Sequence, residues 1–126
     1  MAFQLEKKKT KSTPYILIDE EKSYMKFEGD SFPEFTVEFY RDINNWLNDY
    51  LESDFETLTF DCALKYINSS STKILFDMLA LMDESAEEGK NITVNCHVPD
   101  GDVMMTELYE DIIEELESLK INLINI

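Results

Sequence analysis

The 126-residue chain predicts a single-domain α/β fold, with an initial antiparallel hairpin, then parallel strands, packed by three helices in the order β-β-α-β-α-β-α-β. Three observations carry this. Short runs rich in β-branched and aromatic residues recur along the chain. Three longer segments between them repeat apolar residues at helical spacing. After the first two strands the two kinds of segment alternate, so each helix connects two strands, which calls for right-handed crossovers and a largely parallel sheet. One domain, residues 1–126, accounts for the whole length, enough to bury about two-thirds of the surface an unfolded chain exposes. No internal repeat or low-complexity linker interrupts it.

In chain order, residues 15–19 and 24–29 are two short strand signals separated by a charged turn, and Pro14 marks the entry to the first. Turn residues from Gly29 to Glu34 lead into a first helix on which Val37, Tyr40, Ile43, Trp46 or Leu47, and Tyr50 or Leu51 recur with helical period. It ends near Ser53-Asp54. Residues 57–67 form a strand with alternating and continuous apolar residues. A second helix follows, with Ile74, Leu75, Met78, Leu81 and Met82 as its stripe and Gly89 as its stop. Residues 91–98 are the next strand, and Pro99 to Asp102 break the chain. On a third helix Met105, Leu108, Ile112, Leu116 and Leu119 share one face, with acidic residues mostly elsewhere. Residues 121–126 alternate as a final edge strand.

The junction between the third strand and the second helix, Asn68-Ser69-Ser70-Ser71-Thr72-Lys73, concentrates the functional signal. The first amides of a helix lack intrahelical partners and the macrodipole favours an anion, so a phosphate on one of these serines is electrostatically welcome. Serine and asparagine are also the preferred N-cap residues. On local chemistry alone, capping and phosphorylation both remain open.

Charge narrows the classes of partner. Eleven Lys+Arg against 27 Asp+Glu give a formal charge of −16, which repels nucleic-acid backbones and anionic membrane surfaces. The one basic cluster, Lys7 to Lys9 with Lys11, precedes the first strand signal and reads as a solvated arm or strand flank. With no apolar run of membrane-spanning length and no signal-peptide core, the expected location is cytoplasmic. Cys62 and Cys96 read as small buried hydrophobes of a reducing compartment. His97 is the single histidine, expected in edge-strand packing or solvent. There is no glycine-rich phosphate loop and no paired-histidine motif, and Asp100-Gly101-Asp102 fails the full calcium-loop spacing. No cofactor, no metal and no catalytic residue are therefore expected. The methionines, including Met78, Met82, Met104 and Met105, are assigned to the core rather than to an interface.

Thr13-Pro14, Gly29-Asp30-Ser31-Phe32-Pro33-Glu34, Trp46-Leu47 with Tyr50-Leu51, Tyr66-Ile67-Asn68-Ser69-Ser70-Ser71-Thr72-Lys73, and Gly89-Lys90 through Val94-Asn95 together resemble the SiaC family of bacterial regulatory phosphoproteins over nearly the whole chain. The resemblance implies a non-enzymatic partner-switching protein, phosphorylated by a dedicated Ser/Thr kinase and restored by a PP2C-type phosphatase. Its unmodified form is expected to bind an effector, in the best-known branch a diguanylate cyclase controlling cyclic-di-GMP and biofilm formation. The layout is also STAS-like, similar to anti-sigma factor antagonists that carry a phosphorylatable Ser or Thr where a helix begins beside a strand. Matching the junction residue by residue puts the family's phospho-acceptor, commonly threonine, on Ser69, with Ser70 and then Ser71 as chemically equivalent neighbours. Asn68, Ser70, Ser71, Thr72 and Lys73 are expected to bind partners. Two rival readings are an anti-sigma factor antagonist, and a small enzyme using Asp61, His97 and the acidic third helix around a pocket.

Overall fold

The computed structural model describes residues 2–126. Its elements are β1 (Gln4–Lys7), β2 (Tyr15–Asp19), a 3-10 turn (Glu20–Lys22), β3 (Tyr24–Ser31), α1 (Thr36–Glu52), β4 (Thr57–Ile67), α2 (Ser69–Glu87), β5 (Asn91–Val98), α3 (Val103–Glu115) and β6 (Lys120–Asn125). One six-stranded sheet runs in chain order from β1 to β6. β1, β2 and β3 pair antiparallel, and β3 through β6 pair parallel.

Consecutive parallel strands joined by right-handed crossovers place all three helices on one face. The register shows which side chains that face takes. Ile16, Phe27, Cys62, Cys96 and Leu123 align across five strands, as do Ile18, Met25, Phe60, Val94 and Ile121, and both rows belong to or pack against the buried core. The intervening row, Leu17, Lys26, Asp61, Asn95 and Asn122, lies on the uncovered face and is half-buried throughout. Tyr40, Ile43, Leu47 and Tyr50 of α1, Leu75, Met78 and Met82 of α2, and Met105, Tyr109 and Ile112 of α3 close the core from above.

Five sequence expectations are corrected. The hairpin is preceded by β1, a sixth strand that makes the order β-β-β-α-β-α-β-α-β. Its Lys7 is no solvated arm: the ammonium donates to the Phe39 carbonyl at 2.8 Å, pairs with Asp42 at 3.1 Å and stands 4.5 Å above the Phe39 ring, tying β1 to α1. Val37 does not join the α1 stripe but is exposed at its first turn. α3 ends at Glu115, and Leu116 and Leu119 are buried from the connection to β6 rather than from the helix. His97 lies on β5, an interior strand, with Nε2 3.4 Å from Asp61 Oδ1.

Gly29 is required where β3 turns irregular. It adopts φ +113° at the register shift between Gly29 and Asp30, and a Cβ there would stand 3.3 Å from Lys9 Cε.

Candidate phosphorylation and docking site

β4 ends at Ile67 and α2 begins at Ser69, so Asn68 is the hinge residue between them. Its extended backbone (φ −81°, ψ 175°) lets the side-chain Oδ1 accept the Ser71 amide at 2.9 Å, an N-cap. Its own amide donates to the Ser31 carbonyl at 3.0 Å, fixing the helix start against the end of β3. Thr72 Oγ1 folds back onto the Asn68 carbonyl at 2.9 Å.

The hydroxyls of the run are sorted by their surroundings. Ser71 is 2 % exposed and its Oγ accepts from Ser31 Oγ at 2.9 Å, while Ser31 Oγ shares a 2.6 Å hydrogen bond with the Tyr40 hydroxyl. Burial pushes that phenol up to about 12, its hydrogen bond with Ser31 opposing part of the shift, so it stays protonated and bonded at neutral pH. Ser70 is exposed, with Oγ 2.8 Å from Thr36 Oγ1 at the start of α1 and 3.3 Å from Asn68 Oδ1. Ser69 is also exposed, and among the described residues its hydroxyl is the one serine of the run that takes no hydrogen bond. Lys73, one turn along, is exposed and pairs with Asp77 at 3.2 Å. No acidic residue occupies the first turn of α2, so nothing there opposes the positive end of its dipole.

Around Ser69 the surface is apolar where the sequence reading looked only for hydroxyls. Among the described residues, six of the eight exposed large hydrophobic side chains, Phe32, Phe35, Val37, Tyr66, Val103 and Met104, lie at or just beyond the carboxyl ends of the parallel strands. Phe32 and Tyr66 meet edge to face at 5.5 Å. Met104, assigned to the core on composition, is 80 % exposed, whereas Met78, Met82 and Met105 are buried. Beside Tyr66 a cleft of about 410 Å³ is lined by Ile67, Thr72, Met104 and Leu108, together with Lys65 and Asp102. The carboxyl edge of a parallel sheet is where α/β proteins bind their ligands. The sequence signal that could have found these residues is positional: large apolar side chains in the first turns of helices and at a strand's last residues, where the core stripe does not pass.

The residues of the enzymatic rival do not converge. Asp61 and His97 stand on the uncovered face of the sheet, and α3 covers the other. Burial would raise the Asp61 carboxyl, but hydrogen bonds from Tyr24 at 2.6 Å, Asn95 at 3.0 Å and His97 outweigh it and hold the group below its ordinary range, as in a satisfied structural network. Cys62 and Cys96 are register partners, both buried and free. Burial pushes the Cys62 thiol up to about 11 and the Cys96 thiol higher, so neither is an activated nucleophile. Among the described residues no cluster of three His, Cys, Asp or Glu could hold a metal ion, and no helix is long and apolar enough to cross a membrane.

Comparison with known proteins places this geometry. The family model of the SiaC family regulatory phosphoprotein matches residues 7–126. An uncharacterized protein of Pseudomonas aeruginosa strain UCBPP-PA14 is 30% identical over 106 residues, 84% of each chain. The solved structure of SiaC of Pseudomonas aeruginosa superposes with a TM-score of 0.90 at 27% identity, covering 98% of this chain and 99% of that one. A crystal structure of the diguanylate cyclase SiaD in complex with its activator SiaC from the same organism matches with a TM-score of 0.92 at 28% identity, covering 97% and 99%. The six-stranded mixed sheet, its three helices and the match over residues 7–126 agree: the chain belongs to the SiaC family of regulatory phosphoproteins.

Proposed function

We propose that this protein is a non-enzymatic partner switch whose unphosphorylated form binds and regulates a diguanylate cyclase in the cytoplasm, and whose phosphorylation on Ser69 releases it. The observation that carries the reading is the Ser69 hydroxyl itself: exposed, without a hydrogen-bond partner, at the positive end of α2 and bordered by exposed apolar side chains. A dedicated Ser/Thr kinase adds the phosphate and a PP2C-type phosphatase removes it. The binding of a cyclase by the SiaC relative supports the choice of effector over a transcription regulator's inhibitor.

Phosphorylation adds roughly −1.5 to −2 charges at that point. A partner surface packed on a neutral hydroxyl and apolar neighbours then faces an anion that it must desolvate, and a loss of about 1–3 kcal/mol means about a five- to 150-fold fall in affinity. The scaffold has no need to refold. The α2 N-terminus accommodates the charge, while Ser71, Ser31 and Tyr40 hold the helix from beneath.

Intact-mass and fragment-ion spectrometry after incubation with the cognate kinase tests the assignment. One phosphate on Ser69 is expected, and Ser69→Ala should remain unmodified. Phosphate confined to Ser71, or to a residue outside 69–72, would discard the site.

A further inference from the structure

An open sheet has two edges, here β1 and β6, and the sequence treats them differently. β1 is four residues long, carries Glu6 and Lys7 and runs on into Lys8 and Lys9, so its rim is short and charged. Shortness and charge are what keep a strand edge from pairing with another chain. β6 has neither protection. It pairs with β5 in unbroken register from Lys120 to Asn125, without the shift that bends β3. From Ile121 to Ile126 it holds no charged residue, in a chain of formal charge −16. The two exposed large apolar side chains that do not belong to the strand-end face are here: Ile124 lies on β6 and Ile126 follows it.

The backbone groups that β6 leaves free follow from its bonds to β5. The Ile126 amide donates to the Val98 carbonyl at 2.9 Å, and the Ile126 carbonyl accepts from the Asp100 amide at 3.0 Å, so both groups of Ile126 point inward. Backbone direction alternates along a strand. Asn122 and Ile124 therefore also point toward β5, while Ile121, Leu123 and Asn125 turn both N–H and C=O outward. Among the described residues nothing pairs with that edge. We propose that its occupant is a second copy of this chain, joined β6 to β6 antiparallel about a two-fold axis at Leu123. That centre alone gives all three outward residues outward partners. Leu123 meets the partner's Leu123 and Ile121 meets the partner's Asn125, each pair exchanging both of its hydrogen bonds. The edge is thus self-complementary, as an isologous interface requires.

Charge selects this surface. Copies of a −16 chain repel wherever carboxylates face one another, and the neutral run of β6 lets two backbones meet. Lys120 falls opposite the partner's Ile126, whose carbonyl is held by the Asp100 amide, so each end of the joint brings an exposed lysine toward an exposed aspartate. The repulsion that remains is between exposed groups and is screened by salt, with a Debye length of about 10 Å at 0.1 M and about 3 Å at 1 M. Association should therefore tighten as salt rises. Antiparallel joining sends the carboxyl ends of the two sets of strands apart. Both Ser69 sites then lie at opposite ends of the joined sheet and stay open, so the dimer is independent of the switch and presents it twice.

Sedimentation equilibrium of the full chain up to about 1 mM, at low and high salt, tests this together with amide exchange followed by NMR. The expected result is a monomer–dimer equilibrium that tightens with salt, and concentration-dependent protection of the Ile121, Leu123 and Asn125 amides. Asn125→Pro removes an outward N–H and no inward one at an exposed position, and circular dichroism checks its fold. It should weaken association at least about tenfold, whereas Asn125→Ala, which keeps the amide, should stay within about twofold of wild type. A chain that is monomeric at every concentration and salt, or whose β6 amides are protected only when another protein's strand is added, overturns the proposal. So does a dimer that Asn125→Pro leaves within about twofold, or one whose protected amides lie outside β6.

Discussion

Ser71 Oγ ends a chain of hydroxyls that begins at Tyr40 and passes through Ser31, and all three atoms sit in the closed interface between β3, α1 and α2. Removing it leaves the Ser31 and Tyr40 hydroxyls to share one bond where there were two, in a place water does not reach. The cost of such an orphaned buried group is about 1–3 kcal/mol. Ser69, one position past the cap and in solvent, has no bond to lose. Urea denaturation should therefore show Ser71→Ala destabilised by about 1–3 kcal/mol and Ser69→Ala within about 0.5 kcal/mol of wild type. Equal effects of the two substitutions would contradict the division between a buried, hydrogen-bonded serine and an exposed one that the fold does not use. That division was not legible in the sequence. Ser69, Ser70 and Ser71 are identical as letters, and what separates them comes from Ser31 and Thr36, 40 and 34 positions before their partners in the chain.

The start of α2 depends on one side chain. Asn68 caps the helix through the Ser71 amide and receives the weaker Ser70 bond on the same oxygen. Asn68→Ala should cost about 1 kcal/mol, read as a lower urea midpoint at unchanged slope. Hydrogen exchange should quicken first at residues 69–72, since fraying is local. An unchanged midpoint would mean that the Ser31 carbonyl contact alone sets the helix start. At this scale much was readable: the strands from residue 15 to 98, all three helices and the serine junction follow from period, caps and turn residues. The misreadings have separate physical causes. β1 is four residues long and runs into three lysines, so its short alternation is masked by charge, although Leu5 packs inward and Lys7 bonds to α1. Leu116 and Leu119 keep a helical spacing yet are buried by a connecting segment, which needs no helix to face the core. The exposed apolar face at the strand ends escaped notice because periodicity identifies side chains that belong to a stripe: Phe35 and Met104 lie off it, and Val37 keeps the period yet faces solvent.

Across the whole molecule, three helices on one side of an open sheet bury a single core, and the groups that titrate within it do so at high pH. Cys62, ordinarily near 9.0, is pushed by burial to about 11, and Tyr40, ordinarily near 10.0, to about 12. Both are neutral in the folded state and ionise more readily once unfolded. Their contribution is complete below those ordinary values and is lost as pH rises through the folded ones. Thermal unfolding midpoints should thus fall progressively between pH 9 and about 12, and Cys62→Ala should flatten the first part of the decline. At neutral pH these groups stay neutral and the core is insensitive to them; under the proposed switch a phosphate at the α2 N-terminus acts on partners rather than on the fold. The most direct test of that claim is an isothermal titration of the cognate diguanylate cyclase with the protein before and after stoichiometric phosphorylation of Ser69. The account predicts a five- to 150-fold weaker affinity for the phosphorylated form with an unchanged melting midpoint, and equal affinity of the two forms would contradict it.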